Sequence, residues 1–117
     1  MKFSHLVSSI ACALAIFVSN NASALDAIQL YRNCHAKTGS VGDFGCSAYI
    51  HGFLDGIATG RVVAEKKPGM FCPPKEGVSV DKGRLIIEKY IRDHPGESNH
   101  AAGLVAAGAM YDAFPCR

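Results

Sequence analysis

Four of the five cysteines constrain the fold of this chain more than any other feature of its sequence. All four follow residue 24, with 11, 25 and 43 residues between successive members: Cys34, Cys46, Cys72 and Cys116. No C-x2-C or H-x3-H pair of the kind that holds zinc occurs among them. Whether they are thiols or disulfides therefore depends on the compartment in which the chain folds.

The first 24 residues predict export to an oxidising compartment. Lys2 supplies a positive charge, a 13-residue apolar run spans Leu6 to Val18, and Ala22-Ser23-Ala24 is a small-x-small cleavage pattern. The run is too short to span a bilayer comfortably, and no later run is long enough to do so. We therefore expect a cleaved signal peptide at 1–24, a periplasmic location, and a mature domain at 25–117 that does not insert into membranes.

The expected mature domain is small and nearly neutral. Removing 24 of the 117 residues leaves 93, with 11 Lys plus Arg (12 less Lys2) against 10 Asp plus Glu. Because no basic stripe is present, nucleic acid is not an expected partner. A domain of this size has a small core, and four cysteines remain once Cys12 is removed with the signal peptide, so an exported chain predicts two disulfides.

Four cysteines allow three pairings, and the sequence alone does not choose among them. We favour Cys34–Cys46 together with Cys72–Cys116. The first pair would join the end of one helix to the start of the next across a short turn. The second would fix a long central loop to the C-terminus.

Hydrophobic spacing and capping residues predict an all-α domain, a compact bundle of about four helices. The predicted helices, each given from its capping residue, run from Asp26 to Ala36, Asp43 to Glu65, Ser79 to Asp93 and Asn99 to Phe114. The second helix carries Gly52, Gly56 and Gly60 at intervals of four. Glycine destabilises a helix interior, so this spacing indicates close packing against a neighbouring helix or a second copy of the chain.

Residues suited to catalysis do not form a set. Cys34 and His35 are adjacent, so on a helix their side chains point apart, and the expected disulfide removes the thiol. His51 and Asp55 lie one helical turn apart but lack a nucleophile. No glycine-rich phosphate loop follows a strand. We therefore predict that the protein is not an enzyme.

Metal and cofactor sites are not predicted either. His94 and His100 flank the turn PGESN and are candidate metal ligands by residue type. No carboxylate or cysteine ligands lie at close spacing around these two histidines. We therefore interpret them as residues that cap the turn or lie at helix ends.

The segment 66–77 is the strongest candidate for binding a partner. It has three prolines and two glycines in twelve residues, which excludes regular structure. A stiff loop loses less entropy on binding. The candidate partner-binding residues combine apolar and charged side chains: Lys66, Lys67, Met70, Phe71, Lys75 and Glu76. Met70 is the better exposed apolar candidate, whereas covering the core is an equal alternative for Phe71.

Four stretches, in this order, resemble the Tai-type immunity family, which is associated with type VI secretion. They are Cys46-Ser47-Ala48-Tyr49-Ile50-His51-Gly52-Phe53-Leu54-Asp55-Gly56, Phe71-Cys72-Pro73-Pro74 before Gly77-Val78, Tyr90-Ile91-Arg92-Asp93-His94-Pro95, and Ala113-Phe114-Pro115-Cys116. Judged by the order and spacing of these stretches, the resemblance spans nearly the whole expected mature chain, from about Tyr31 to Cys116. One departure follows the proline turn, where the usual Leu-His-x-Pro-Ala is replaced by Ser98-Asn99-His100-Ala101-Ala102.

The resemblance implies a small, helical periplasmic protein, often a homodimer, that serves as the antitoxin of a toxin–antitoxin pair. Such proteins bind and block cell-wall-degrading effectors injected by neighbouring cells. The best-known targets are peptidoglycan amidases with a Cys-His active site, which a loop of the immunity protein occludes. The family has no catalytic residues to transfer to this chain.

Three functions follow as hypotheses. The leading one is an immunity protein that inhibits a peptidoglycan amidase or hydrolase effector through the 66–77 loop and the exposed start of the third helix. An alternative is a small periplasmic helical chaperone or stress protein that binds unfolded clients, with the histidines giving a pH response. A third is a carrier of a metal ion or small ligand.

Overall fold

The computed structural model describes residues 24–64 and 69–116. Its helices are α1 (Ala27–Cys34), α2 (Val41–Val63), α3 (Val80–Asp93) and α4 (Ala102–Ala113), with a short 3-10 helix at Pro95–Glu97. In this part of the chain the only β pairing is an isolated bridge between Asp26 and Ala101. The prediction of an all-α bundle of about four helices is confirmed. The predicted signal peptide, apart from Ala24, lies outside the described residues.

Two helices begin where their local sequence predicts. The side chain of Asp26 accepts a hydrogen bond from the backbone N–H of Gln29 at 2.8 Å, and Ser79 does the same for Lys82 at 3.2 Å. Each cap satisfies an N–H that has no partner within the first turn of its helix. Among the described helices, none is long and apolar enough to cross a membrane.

The predicted start of α2 at Asp43 is wrong, because the helix begins at Val41 with Ser40 as its cap. The Ser40 hydroxyl accepts from the Asp43 N–H at 3.3 Å, while the Asp43 carboxylate accepts from the Gly39 N–H at 2.9 Å. These reciprocal bonds resemble a capping box. Gly42 lies inside the helix, and glycine is favoured there because a Cβ would come 2.7 Å from that of Ala36.

The predicted cap of α4 at Asn99 is also wrong. The helix begins at Ala102 after Ala101, without a side-chain cap. Instead, the Ala102 N–H donates to the backbone carbonyl of Leu25 at 2.8 Å, and the Ala27 N–H donates to that of His100 at 2.9 Å. Backbone groups from the other end of the domain thus replace the local cap.

The core lies where the four helices meet. Its largest fully buried side chains come from all of them: Leu30, Ile50, Ile87, Val105 and Met110. Helix α2 has 23 residues, whereas α3 has 14, so α2 extends beyond the bundle. From residue 58 to residue 64 every residue of this extension is exposed, including the apolar Val62 and Val63.

Two disulfides join the elements, and they are the pairs that the sequence analysis favoured. Cys34–Cys46 connects the end of α1 to α2, with 5.0 Å between the Cα atoms. Cys72–Cys116 connects the loop before α3 to the C-terminal segment, with 4.9 Å between the Cα atoms. The first holds the α1–α2 hairpin, and the second holds the candidate binding loop.

Candidate partner-binding surface

The loop between α2 and α3 is held to the bundle at three points. The Phe71 side chain belongs to the hydrophobic core and is only 4% exposed. The Cys72 N–H donates to the Phe114 carbonyl at 2.8 Å, and the Cys72–Cys116 disulfide lies beside this bond. Of the two alternatives for Phe71, the structure therefore shows core packing, so this residue anchors the loop and does not project from it.

The other loop candidates lie at the surface. Met70 is 68% exposed, and Lys75 and Glu76 are exposed as well. Gly77 has φ of 83°, a conformation that disfavours other residues, and its N–H donates to the Pro74 carbonyl at 2.9 Å. This turn presents Lys75 and Glu76 to solvent. Lys66 and Lys67 lie outside the described residues.

Met70 separates two shallow grooves. One, of about 230 Å³, runs along the projecting end of α2 and is lined by Gly56, Gly60 and Ala64. The other, of about 370 Å³, runs along α4 and is lined by Leu104 and Tyr111. Ala107 contributes to both grooves, so the exposed Met70 side chain stands between two mainly apolar surfaces.

A third groove, also of about 370 Å³, lies on the other side of the loop and is more polar. Asp55 and Arg61 from α2 and Lys75 from the loop line it, together with Pro73 and Pro74. Phe71 lines this groove and the α2 groove beside Met70. The candidate surface therefore combines an apolar half around Met70 with a charged half around Lys75.

The start of α3 lies on the same side of the molecule as the loop. Asp81 and Lys82 are exposed in its first turn. The Lys82 ammonium lies 5.5 Å from the centre of the Phe114 ring, and the Phe114 carbonyl accepts the hydrogen bond from Cys72. The two regions that the sequence analysis combined into one binding surface are thus brought together through the C-terminal segment.

The three glycines spaced by four residues in α2 do not pack against another helix of this chain among the described residues. A Cβ atom placed on Gly52, Gly56 or Gly60 would meet nothing within 4 Å among the described residues. Close approach occurs elsewhere, at Gly83, where a Cβ would lie 3.1 Å from Cγ2 of Ile50. The glycines of α2 therefore form part of the protein surface.

A charged cluster around Arg84 was missed by the sequence analysis. Arg84 donates to Asp43 at 2.9 Å, to Glu88 at 3.0 Å and to the Cys34 carbonyl, so it links α1, α2 and α3. The Gly39 N–H, followed by Arg84, lowers the pKa of the Asp43 carboxyl below its usual value of 3.8. Hydrogen bonding to Asp43 in turn raises the pKa of Arg84. The spacing of Arg84 and Glu88 is visible in the sequence, but the partner 41 residues away is not.

The thiol candidate Cys34 is used in a disulfide, and the histidine candidates lie at the surface or at a helix end. His51 lies 3.7 Å from Asp55 with both side chains exposed. The His94 ring stacks on Tyr90 and caps the end of α3. Within the described ranges, no three His, Cys, Asp or Glu side chains are close enough to hold a metal ion.

Together these features define a small, disulfide-linked helical domain, in which a covalently held loop presents apolar and charged side chains at the surface. A family model described as Rap1a immunity proteins matches residues 26–116. The chain therefore belongs to the Rap1a immunity protein family, a type VI secretion immunity family. Members of such a family bind a cognate secreted effector and are generally not enzymes.

Searches of curated proteins and of solved structures returned no match to this chain.

Proposed function

We propose that this chain is a Tai-type periplasmic immunity protein that binds a type VI secreted peptidoglycan amidase or hydrolase and occludes its active site. The match of residues 26–116 to an immunity family carries the proposal. It favours immunity over the chaperone alternative. Export through a cleaved signal at 1–24, followed by a mature domain at 25–117, is part of the same proposal because the effector's substrate is the cell wall.

The loop geometry supports an occluding role. Met70 is largely exposed, yet the next two residues are fixed by core packing and by a disulfide. The backbone that carries Met70 is therefore already ordered before a partner binds, which reduces the entropy lost on association. An exposed apolar side chain on an ordered backbone is suited to fill a cleft, and such anchors dominate many interfaces.

Charges beside this anchor supply selectivity. Lys75 and Arg61 line one groove, together with Asp55. Charged groups around an apolar centre orient a partner and disfavour the wrong ones more than they increase affinity. We therefore assign the role of apolar anchor to Met70 and the role of orienting charge to Lys75.

A homodimer belongs to the proposal as well. The resemblance implies it, and the exposed apolar side chains of Val62 and Val63 at the end of α2 are ones that a second copy would bury. Light scattering coupled to size exclusion should give twice the monomer mass; a monomer mass at micromolar concentration would refute the dimer without affecting the inhibitory role.

The inhibitory role is tested with the product of the neighbouring gene, which the proposal expects to be a cell-wall hydrolase. The purified protein should form a tight complex with it and abolish the release of muropeptides from peptidoglycan. Met70→Glu should weaken binding by about 2 kcal/mol or more, because it places a charge in an apolar contact.

The matched control is Val41→Glu. Val41 is 90% exposed and begins α2 about 28 Å along the helix from Gly60, far from the loop. It should leave affinity and inhibition unchanged. Equal losses in both variants would refute the loop as the binding surface, and the absence of any complex would refute inhibition of that hydrolase.

The chaperone alternative predicts protection of unrelated proteins. An immunity protein should not do this. When an unrelated client protein aggregates at low pH, adding the purified protein should therefore leave the light scattering unchanged. Suppression of that aggregation at stoichiometric amounts would instead support the chaperone alternative.

A further inference from the structure

The two disulfides lie in contrasting environments. Cys34 and Cys46 are 3% and 0% exposed and belong to the hydrophobic core. Cys72 and Cys116 are both exposed, at the edge of the candidate binding surface. One disulfide is therefore covered by packed helices, whereas the other faces solvent.

Exposure determines which disulfide can react with a thiol in the native state. Exchange requires a thiolate to approach one sulfur directly, so a buried disulfide reacts only after the surrounding structure opens. The approach to Cys72–Cys116 requires no movement of the helices, because neither sulfur belongs to the core.

We propose that Cys72–Cys116 is a site of thiol–disulfide exchange with dithiol reductants. A reductant thiolate attacks one sulfur of the pair and forms a mixed disulfide, and the other sulfur leaves as a thiolate that takes up a proton. The second thiol of the reductant then displaces the first cysteine. The reductant becomes a disulfide and the protein gains two thiols, which is a two-electron transfer.

Reduction at this site leaves the helical domain intact. Cys34–Cys46 remains closed inside the core, and Phe71 remains packed in it. The loop keeps the 2.8 Å hydrogen bond from the Cys72 N–H to the Phe114 carbonyl. It loses the covalent bond to the C-terminal segment. The expected change is greater freedom of the loop that carries Met70.

Greater freedom of the loop should weaken effector binding, a consequence that rests on the proposed function. If Met70 anchors the effector, the reduced protein must order the loop on binding, and its affinity falls. The oxidation state of Cys72–Cys116 then sets the strength of inhibition.

The first experiment needs no effector. The exported, oxidised protein is treated with dithiothreitol, sampled over time, alkylated with a maleimide and mapped by peptide mass spectrometry. Cys72 and Cys116 should be labelled at least about tenfold faster than Cys34 and Cys46, with unchanged circular dichroism at the helical bands. Equal labelling rates, or labelling only as helicity is lost, would overturn the proposal.

The second experiment compares effector binding by the oxidised protein and by the selectively reduced, alkylated protein. The dissociation constant should rise about tenfold on reduction, a change of about 1.4 kcal/mol. Equal affinities would refute the control of binding while leaving the exchange site established. If neither form binds the hydrolase, the proposed function fails, and the labelling result still decides the exchange site.

Discussion

Replacing two surface glycines of α2 with alanine should stabilise the protein. Alanine is favoured over glycine in a helix interior by about 1 kcal/mol, and a Cβ on Gly56 or Gly60 meets nothing within 4 Å among the described residues. Gly60 lies near the end of α2, where helices fray. The double variant Gly56→Ala/Gly60→Ala should therefore gain about 1 to 2 kcal/mol in free energy of unfolding.

Urea unfolding followed by circular dichroism measures this gain, and the midpoint should rise without a change of slope. In thermal unfolding the same gain corresponds to an increase in Tm of roughly 4 to 16 °C for a domain of this size. Gly83→Ala is the matched control on a neighbouring helix. Its Cβ would lie 3.1 Å from Ile50 and 3.4 Å from Leu54, so the steric conflict should offset the gain in helix propensity.

The reasoning fails if the double variant is destabilised. A destabilised variant would mean that another backbone, such as that of a second copy of the chain, packs against the glycines. Running the unfolding experiment at two protein concentrations separates these cases, because a dimer's midpoint depends on concentration and that of a monomer does not.

Three other changes test how the fold is held together. Arg84→Ala should lower the free energy of unfolding by about 2 kcal/mol in urea titrations, because Asp43, Glu88 and the Cys34 carbonyl lose their common donor. The native hydrogen bonds lower the pKa of Asp43, so its stabilising effect is complete above the unfolded value of 3.8 and is lost as pH falls through the native pKa. Asp43→Asn should consequently flatten the loss of stability as the pH falls below 3.8 in the same titrations, and an unchanged slope would contradict this assignment. The double variant Cys72→Ser/Cys116→Ser removes the disulfide that closes a 44-residue loop. It should lower the free energy of unfolding by about 4 kcal/mol through loop-closure entropy, and the helical circular dichroism should be retained below the unfolding transition.

The sequence predicts those parts of the fold that depend on neighbouring residues. Asp26 and Ser79 cap their helices because each side chain reaches an N–H three residues ahead. Both favoured disulfide pairs are present in the structure, because each joins two segments that the order of the helices brings close together. The start of α4 was not predictable in this way, since its first N–H bonds to Leu25, at the other end of the domain.

The candidate surface was predicted only in part, for the same reason. A proline-rich segment between helices indicates a loop, and Met70 is exposed on it as expected. Whether Phe71 faces inward depends on the packing of several helices, which no local pattern reports. Similarly, the glycines of α2 suggest close packing, but only the structure shows that their face is open.

Survival of cells that export the effector tests immunity most directly. Cells that express a candidate cell-wall hydrolase effector fused to an export signal are grown with this full chain, with a version lacking residues 2–24, or with neither. The proposed function predicts that the full chain restores growth and that the shortened version does not, because it stays in the cytoplasm. Growth restored equally by both versions, or by neither, would contradict periplasmic immunity.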